Sequence, residues 1–169
     1  MSFVGNQAWF AALLVIHVLG AIIGIGPAFA FGILGSKAEK AGPEGSVALI
    51  DALHTIEKMM LSPTVRVLQW GSGVGLIFNR GLNHEFFSSS RAWLTVSIGM
   101  YAVLLVMGEV LYAPNTRRLH AAAVAGDQAE VQRQAALAKK LGPIAPLLTI
   151  AIVVLMVWKP GSGCATLSC

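Results

Sequence analysis

Four polar side chains stand in apolar surroundings, and their types set the chemistry open to this chain. His17 lies in "VIHVLGAIIGIGPAFAF", residues 15–31; Arg66 and Gln69 lie in "TVRVLQW", and Glu109 in "LLVMGEVLY". A neutral imidazole ligates iron or copper through either ring nitrogen, relays protons near neutral pH, or bonds across a helix seam. A guanidinium and a carboxylate in a low-dielectric layer pair with each other, because an uncompensated charge there is costly. Ionisable residues within apolar spans are functional candidates by default. Nucleophilic catalysis finds no footing: no G-x-S-x-G elbow occurs, and no second carboxylate sits in an apolar run beside Glu109. Catalytic residues are therefore unknown. The two cysteines, Cys164 and Cys169, fall in the last six residues and form no CxxC or Cys/His cluster of zinc type. They read either as a small-loop disulfide in an oxidising compartment or as two mobile thiols.

The elements that position these side chains follow from composition. Hydrophobic residues make up 56% of the chain and charged residues only 12%, with mean hydropathy +0.71. A soluble domain carries about a quarter charged residues, so part of this chain's solvent is lipid. Apolar runs at about residues 8–34, 61–78, 92–112 and 144–158 approach the roughly 20 residues that cross a bilayer core. They predict an all-α fold, a transmembrane four-helix bundle with short amphipathic cytoplasmic helices. Of the 12 basic residues, Lys37, Lys40, Lys58, Arg66, Arg117, Arg118, Arg133, Lys139 and Lys140 fall in or beside the two longer connections. Only Arg80, Arg91 and Lys159 fall on the opposite side. That bias places the longer connections in the cytoplasm of a bacterial inner membrane, the protein multi-pass and both termini outside. Basic residues confined to loops argue against nucleic acid despite the net charge of +4. "AFA" at residues 28–30 resembles a cleavage site, but no Lys or Arg precedes Lys37, so the first run is read as a retained span. Residues 1–158 are one membrane domain and 159–169 a flexible external tail. The short external connection covers residues 79–91.

Gly20 and Gly24 follow His17 at three and seven positions, putting all three on one helical face. Small residues let a backbone or a flat molecule approach closely, so this face points at protein or at a cofactor, not at lipid. Gly71 and Gly75 in "WGSGVG" form a second such pair, and the first two spans are expected to cross through these glycines. Pro27 removes the bond to the Ile23 carbonyl and predicts a bend. Arg66 and Glu109 are expected at equal depth as an ion pair, making with Gln69 a polar intramembrane cluster. Leu49, Leu53, Ile56 and Met60 mark the apolar stripe of a connecting helix, with Asp51, His54 and Lys58 opposite. Asp127 with Glu130 forms a capping box, and the helix it opens is expected to stop at a left-handed Gly142 before Pro143. Trp9, Trp93 and Trp158 read as interfacial anchors.

"LLVIHVLGAIIGIGPAFAFGI", followed in order by "LSPTVRVLQWGSGVGLIF", "RAWLTVSIGMYAVLLV" and "YAPNTRRL", resembles the bacterial integral membrane family catalogued as domain of unknown function 2269. The first helix is also similar in style to copper-resistance D-type domains and to the membrane protoporphyrinogen oxidase type. Those resemblances imply four-helix bundles and, for the oxidase type, haem-linked chemistry using a first-helix histidine, here His17. The membrane lysine of that type has no counterpart within a span.

Three functions stay open. A pocket at His17, Gly20 and Gly24 binds haem, another porphyrin or a metal ion. A transport component uses Arg66, Gln69 and Glu109 as a polar route, working as a homo-oligomer. Or the chain is a structural subunit with a membrane-complex partner. The lipid bilayer is a partner in all three.

Overall fold

The computed structural model describes residues 5–82 and 91–160. Most of the external connection, with His84, and the tail with Cys164 and Cys169 lie outside the described residues.

All regular structure among the described residues is helical: α1 (Gln7–Ile25), α2 (Ala28–Lys40), α3 (Pro43–Met60), α4 (Pro63–Asn79), α5 (Ala92–Met107), α6 (Ala113–Ala125), α7 (Gln128–Leu141) and α8 (Ile144–Trp158). A π-helical turn, Gly108–Tyr112, joins α5 to α6. Three helical stretches are long and apolar enough to cross a membrane: Gln7–Lys40, Ala92–Ala125 and Gln128–Trp158. Each is about 46–51 Å long at 1.5 Å per residue, more than the roughly 30 Å hydrocarbon layer needs. The surplus is the polar end of each, which leaves the apolar zone. The remaining apolar run, near residues 61–78, is α4, shorter at 17 residues.

The apolar halves pack as two antiparallel pairs, α1 with α4 and α5 with α8. The start of α1 meets the end of α4, where the Gly5 amide donates to the Asn79 carbonyl at 2.8 Å. Trp70 of α4 and Tyr101 of α5 join the pairs, ring centroids 5.4 Å apart. The polar ends build a second layer from α2, α3, α6 and α7 around Ala38, Ile50 and Leu119. Thus the expected amphipathic connections are not isolated surface helices; they form a packed cap continuous with the spans.

Proline chemistry shapes the joints. Pro114 lacks the amide that would bond Val110, and the backbone widens just before it, with Ala113 N–H donating to the Gly108 carbonyl five residues back. At Gly26–Pro27 the long first helix is interrupted, and a Cβ at Gly26 would collide with the Ile22 carbonyl oxygen. Gly142 corrects an expectation: its φ of −49° is right-handed, not the left-handed stop. Pro143 already has helical φ and needs no amide at a helix start, so α7 runs on into α8. The left-handed cap is Gly126, φ 73°, after which Asp127 accepts from the Glu130 amide at 3.1 Å. The reverse half of that box is missing, because the Asp127 amide bonds the Ala122 carbonyl.

Candidate functional site

The α1–α4 seam is set by glycines. A Cβ at Gly20 would lie 2.7 Å from Gln69 Oε1, and one at Gly24 would lie 2.6 Å from Val65 Cγ1. From the other side, Gly73 faces His17 and Gly75 faces Leu13, while Gly71 faces open space. The second contact pair is therefore Gly73 and Gly75, not Gly71 and Gly75. Residues two apart on a helix share a face less well than four apart, but the bulk of His17 reaches across to Gly73. His17 Nδ1–H donates to the Gln69 carbonyl and the Ser72 hydroxyl, each at 3.2 Å, and Gln69 Nε2–H donates to His17 Nε2 at 3.3 Å. The tautomer is assigned from these partners: the Gln69 carbonyl only accepts.

This geometry does not fit a haem or a metal ion at His17. Both ring nitrogens are taken by α4, and the Gly20–Gly24 face is closed by Gln69 and Val65. Among the described residues no group of three His, Cys, Asp or Glu side chains is placed to hold a metal ion. Gln69 also leaves the expected polar cluster, turning to α1 while Arg66 turns to Glu109 in the π-helical turn.

The chemistry gathers instead where the spans meet the cap. On α3 the buried stripe is Ile50, Leu53 and Glu57, at 3%, 8% and 4% exposure. The sequence reading placed the stripe on Leu49, Leu53, Ile56 and Met60; the observed face is rotated toward α6, which covers Ile50 with Leu119. The rotation buries a carboxylate. Glu57 Oε1 has no hydrogen-bond partner, and His54 Nδ1 lies 4.0 Å from Glu57 Oε2. Next along, the rings of His54 and His120 stack with centroids 4.9 Å apart. His120 Nε2–H donates to Asp51 Oδ1 at 3.0 Å.

A cavity of about 200 Å³ opens beside Glu57, lined also by His54, Lys58, Ser62, Arg66, Glu109 and Arg117. Arg66 donates to Glu109 across it, closing α4 against the π-helical turn. The widened turn is where Glu109 sits, next to the close approach of Gly108 to Leu61. Glu57, on α3 outside the apolar spans, is pushed up to about 7. Burial is the main cause; the Thr116 hydroxyl and Arg117 pull it back in part, and the Glu109 charge adds to the rise. Burial, helped by the Lys58 and His120 charges, holds His54 below the ordinary histidine range. Burial thus favours the neutral form of both groups.

With this geometry in view, the comparison with known families is decisive on one point: residues 11–160 match the family described as "Predicted integral membrane protein (DUF2269)". The chain belongs to that family. It is an integral membrane protein with several apolar helices, and the family match spans both the His17 seam and the Glu57 cavity. Comparisons with curated proteins and with solved structures return no match. The resemblance to copper-resistance D-type and protoporphyrinogen oxidase-type domains gains no support from them.

Of the sequence-derived residues, the structure joins Arg66 with Glu109, and His17 with Gly20 and Gln69. Glu57, His54, His120 and Arg117 escaped the sequence reading. The signal was present as an acid at i+7 from Ile50 on the α3 face, but it reads as a solvated charge until α6 is placed on top.

Proposed function

We propose that this protein is a proton-handling component of a membrane transport process, with Glu57 as the group that takes up and releases the proton. The observation that carries the reading is a carboxylate 4% exposed on the wall of a polar cavity, at the point where three helices leave the apolar zone. Burial of an acid favours its protonated form, and a group poised near neutrality exchanges protons readily. Arg66–Glu109 forms the neighbouring gate, an ion pair only partly shielded from solvent, and therefore able to open. A π-helical turn beside it is the kind of irregularity found at functional sites.

In this reading α4 is the fourth crossing, because it lies antiparallel along α1 and its 17 residues span about 26 Å. The basic bias then places the cavity on the cytoplasmic side of a bacterial inner membrane. The sequence of this small chain carries no inverted repeat, so a second copy or another subunit completes the route. His17 serves as an interhelical lock, and the Gly20–Gly24 face as its seat.

The test is proton flux in vesicles. Purified protein reconstituted with a trapped pH-sensitive dye, under an imposed potassium diffusion potential, should dissipate a pH difference faster than protein-free vesicles. Glu57→Gln should remove that excess, while Asp51→Asn retains it. Equal rates for wild type and Glu57→Gln would reject the assignment.

A further inference from the structure

The cavity has more positive than negative charge to place. Lys58, Arg66 and Arg117 line it against Glu57 and Glu109. Glu109 is satisfied by Arg66. Neither Lys58 nor Arg117 has a carboxylate within ion-pair distance among the described residues. Both are exposed at the rim, while Glu57 is buried beneath them. Three polar atoms on the lining residues, Glu57 Oε1, His54 Nδ1 and Arg66 Nε, are closed off without partners. Buried polar atoms normally find partners, and a basic concavity attracts anions. The positive end of α4 adds to this field, since Ser62, its N-cap, also lines the cavity.

Building on the proton reading above, we propose that this cavity binds the singly charged phosphate of a phosphodiester, held by Lys58 and Arg117 with Arg66 behind them, and that it does so together with a proton on Glu57. The coupling is electrostatic. An ionised Glu57 beneath the anion repels it, whereas the protonated acid can donate a hydrogen bond. No covalent step is involved. The groups bearing on Glu57 are His54 and Lys58 of α3, Arg66 of α4, Glu109 of the π-helical turn, and Thr116, Arg117 and His120 of α6. On the other flank, α2 carries Lys37, Lys40 and Glu39, the last paired with Lys139 at 2.9 Å. Burial favours the protonated acid at Glu57 and the neutral ring at His54. His120 rests against Asp51, so Asp51→Asn is the control for its contribution.

A phosphodiester reaches such a site either as a small solute or as the headgroup of an anionic lipid, since the cavity lies at the end of the apolar spans. Dimethyl phosphate is the probe for the first source, because its single charge is constant between about pH 6 and pH 8. Its binding to full-length protein in nanodiscs of zwitterionic lipid is followed by calorimetry. Nanodiscs containing phosphatidylglycerol, read by lipid retention in native mass spectrometry, probe the second. Wild type should bind at least one of them about tenfold more tightly at about pH 6 than at about pH 8, the change expected for a site lost with one proton above neutrality. Lys58→Gln with Arg117→Gln should weaken binding about tenfold or more at both pH values. Glu57→Gln should lose the pH dependence.

Absence of binding from both sources, or binding indifferent to the Lys58 and Arg117 substitutions, would overturn the site. Should the anion bind with no pH dependence in wild type, the coupling falls and the proton reading falls with it. Should infrared titration show Glu57 ionising near neutrality in a protein that binds neither probe, the anion site alone is wrong. Circular dichroism at each pH confirms that the variants compared are folded.

Discussion

Glu57 and His17 are both polar residues in apolar company, and the structure gives them opposite fates. His17 spends both ring nitrogens on α4. Such interhelical bonds contribute on the order of 1 kcal/mol in lipid, because the separated helices find other partners. His17→Ala should therefore lower resistance to denaturant by about that amount and leave proton flux unchanged. A large loss of flux with intact stability would show that the imidazole does more than hold the seam. Glu57 is buried without such satisfaction, and its protonation follows pH. Its folded value near 7 stands above the unfolded value of 4.5, so the folded state holds a proton that the unfolded state releases between them. Stability is then greatest below pH 4.5 and falls as pH rises through 7. Glu57→Gln cannot ionise, so the variant should be more stable than wild type above neutrality by roughly 3 kcal/mol, and the gap should close on acidification. Thermal unfolding in detergent across this range measures it; a constant gap would mean that Glu57 is not the titrating group.

Gly24 lies against Val65 with no room for a Cβ, so Gly24→Leu should separate α1 from α4 and expose the seam to proteolysis or labelling. In the cap, Asn115 Nδ2 donates to both the backbone and side-chain oxygens of Gln134, at 3.1 and 2.6 Å, and both residues are buried. Asn115→Ala leaves the Gln134 groups buried without this donor, at a cost of about 1–3 kcal/mol. Amide exchange should rise in α6 and α7 and remain slow in α1 and α4. Equal loosening everywhere would mean that cap and spans unfold as one unit. The π-helical turn also acts at this scale: by absorbing the backbone mismatch before Pro114, it sets the side of the helix on which both Glu109 and Asn115 emerge.

Taken whole, the molecule is an apolar layer of two helix pairs under a cap built from α3 and the polar ends of the long helices. This explains how a chain with only 12% charged residues concentrates its ionisable groups at one level. If α4 crosses as proposed, cysteines introduced at Gly42 and Gly126 share one side of the membrane and one at Gly81 lies on the other. A membrane-impermeant maleimide applied to intact cells and to inverted vesicles should label the two sets reciprocally. Labelling of all three from one side would leave α4 lying along the surface and remove the fourth crossing.

The spans were legible in the sequence because hydropathy is a local property: the runs near residues 8–34 and 92–112 coincide with apolar helix whatever surrounds them. The helix break beside Pro27, the Asp127 cap and the Arg66–Glu109 pair were legible for the same reason, since each follows from residue type plus helical spacing. Gly142 misled because glycine permits a left-handed stop without requiring one. The burial of Glu57 could not be read locally. On α3 alone, Ile50–Leu53–Glu57 and Leu49–Leu53–Ile56–Met60 are neighbouring stripes, and only docking of α6 decides which one loses water. Likewise, the sequence placed glycines beside His17, but only the approach of α4 determined that a side chain, not a cofactor, fills the space they leave. Desolvation depends on what packs against a residue from elsewhere in the chain, and that is information tertiary structure alone contains.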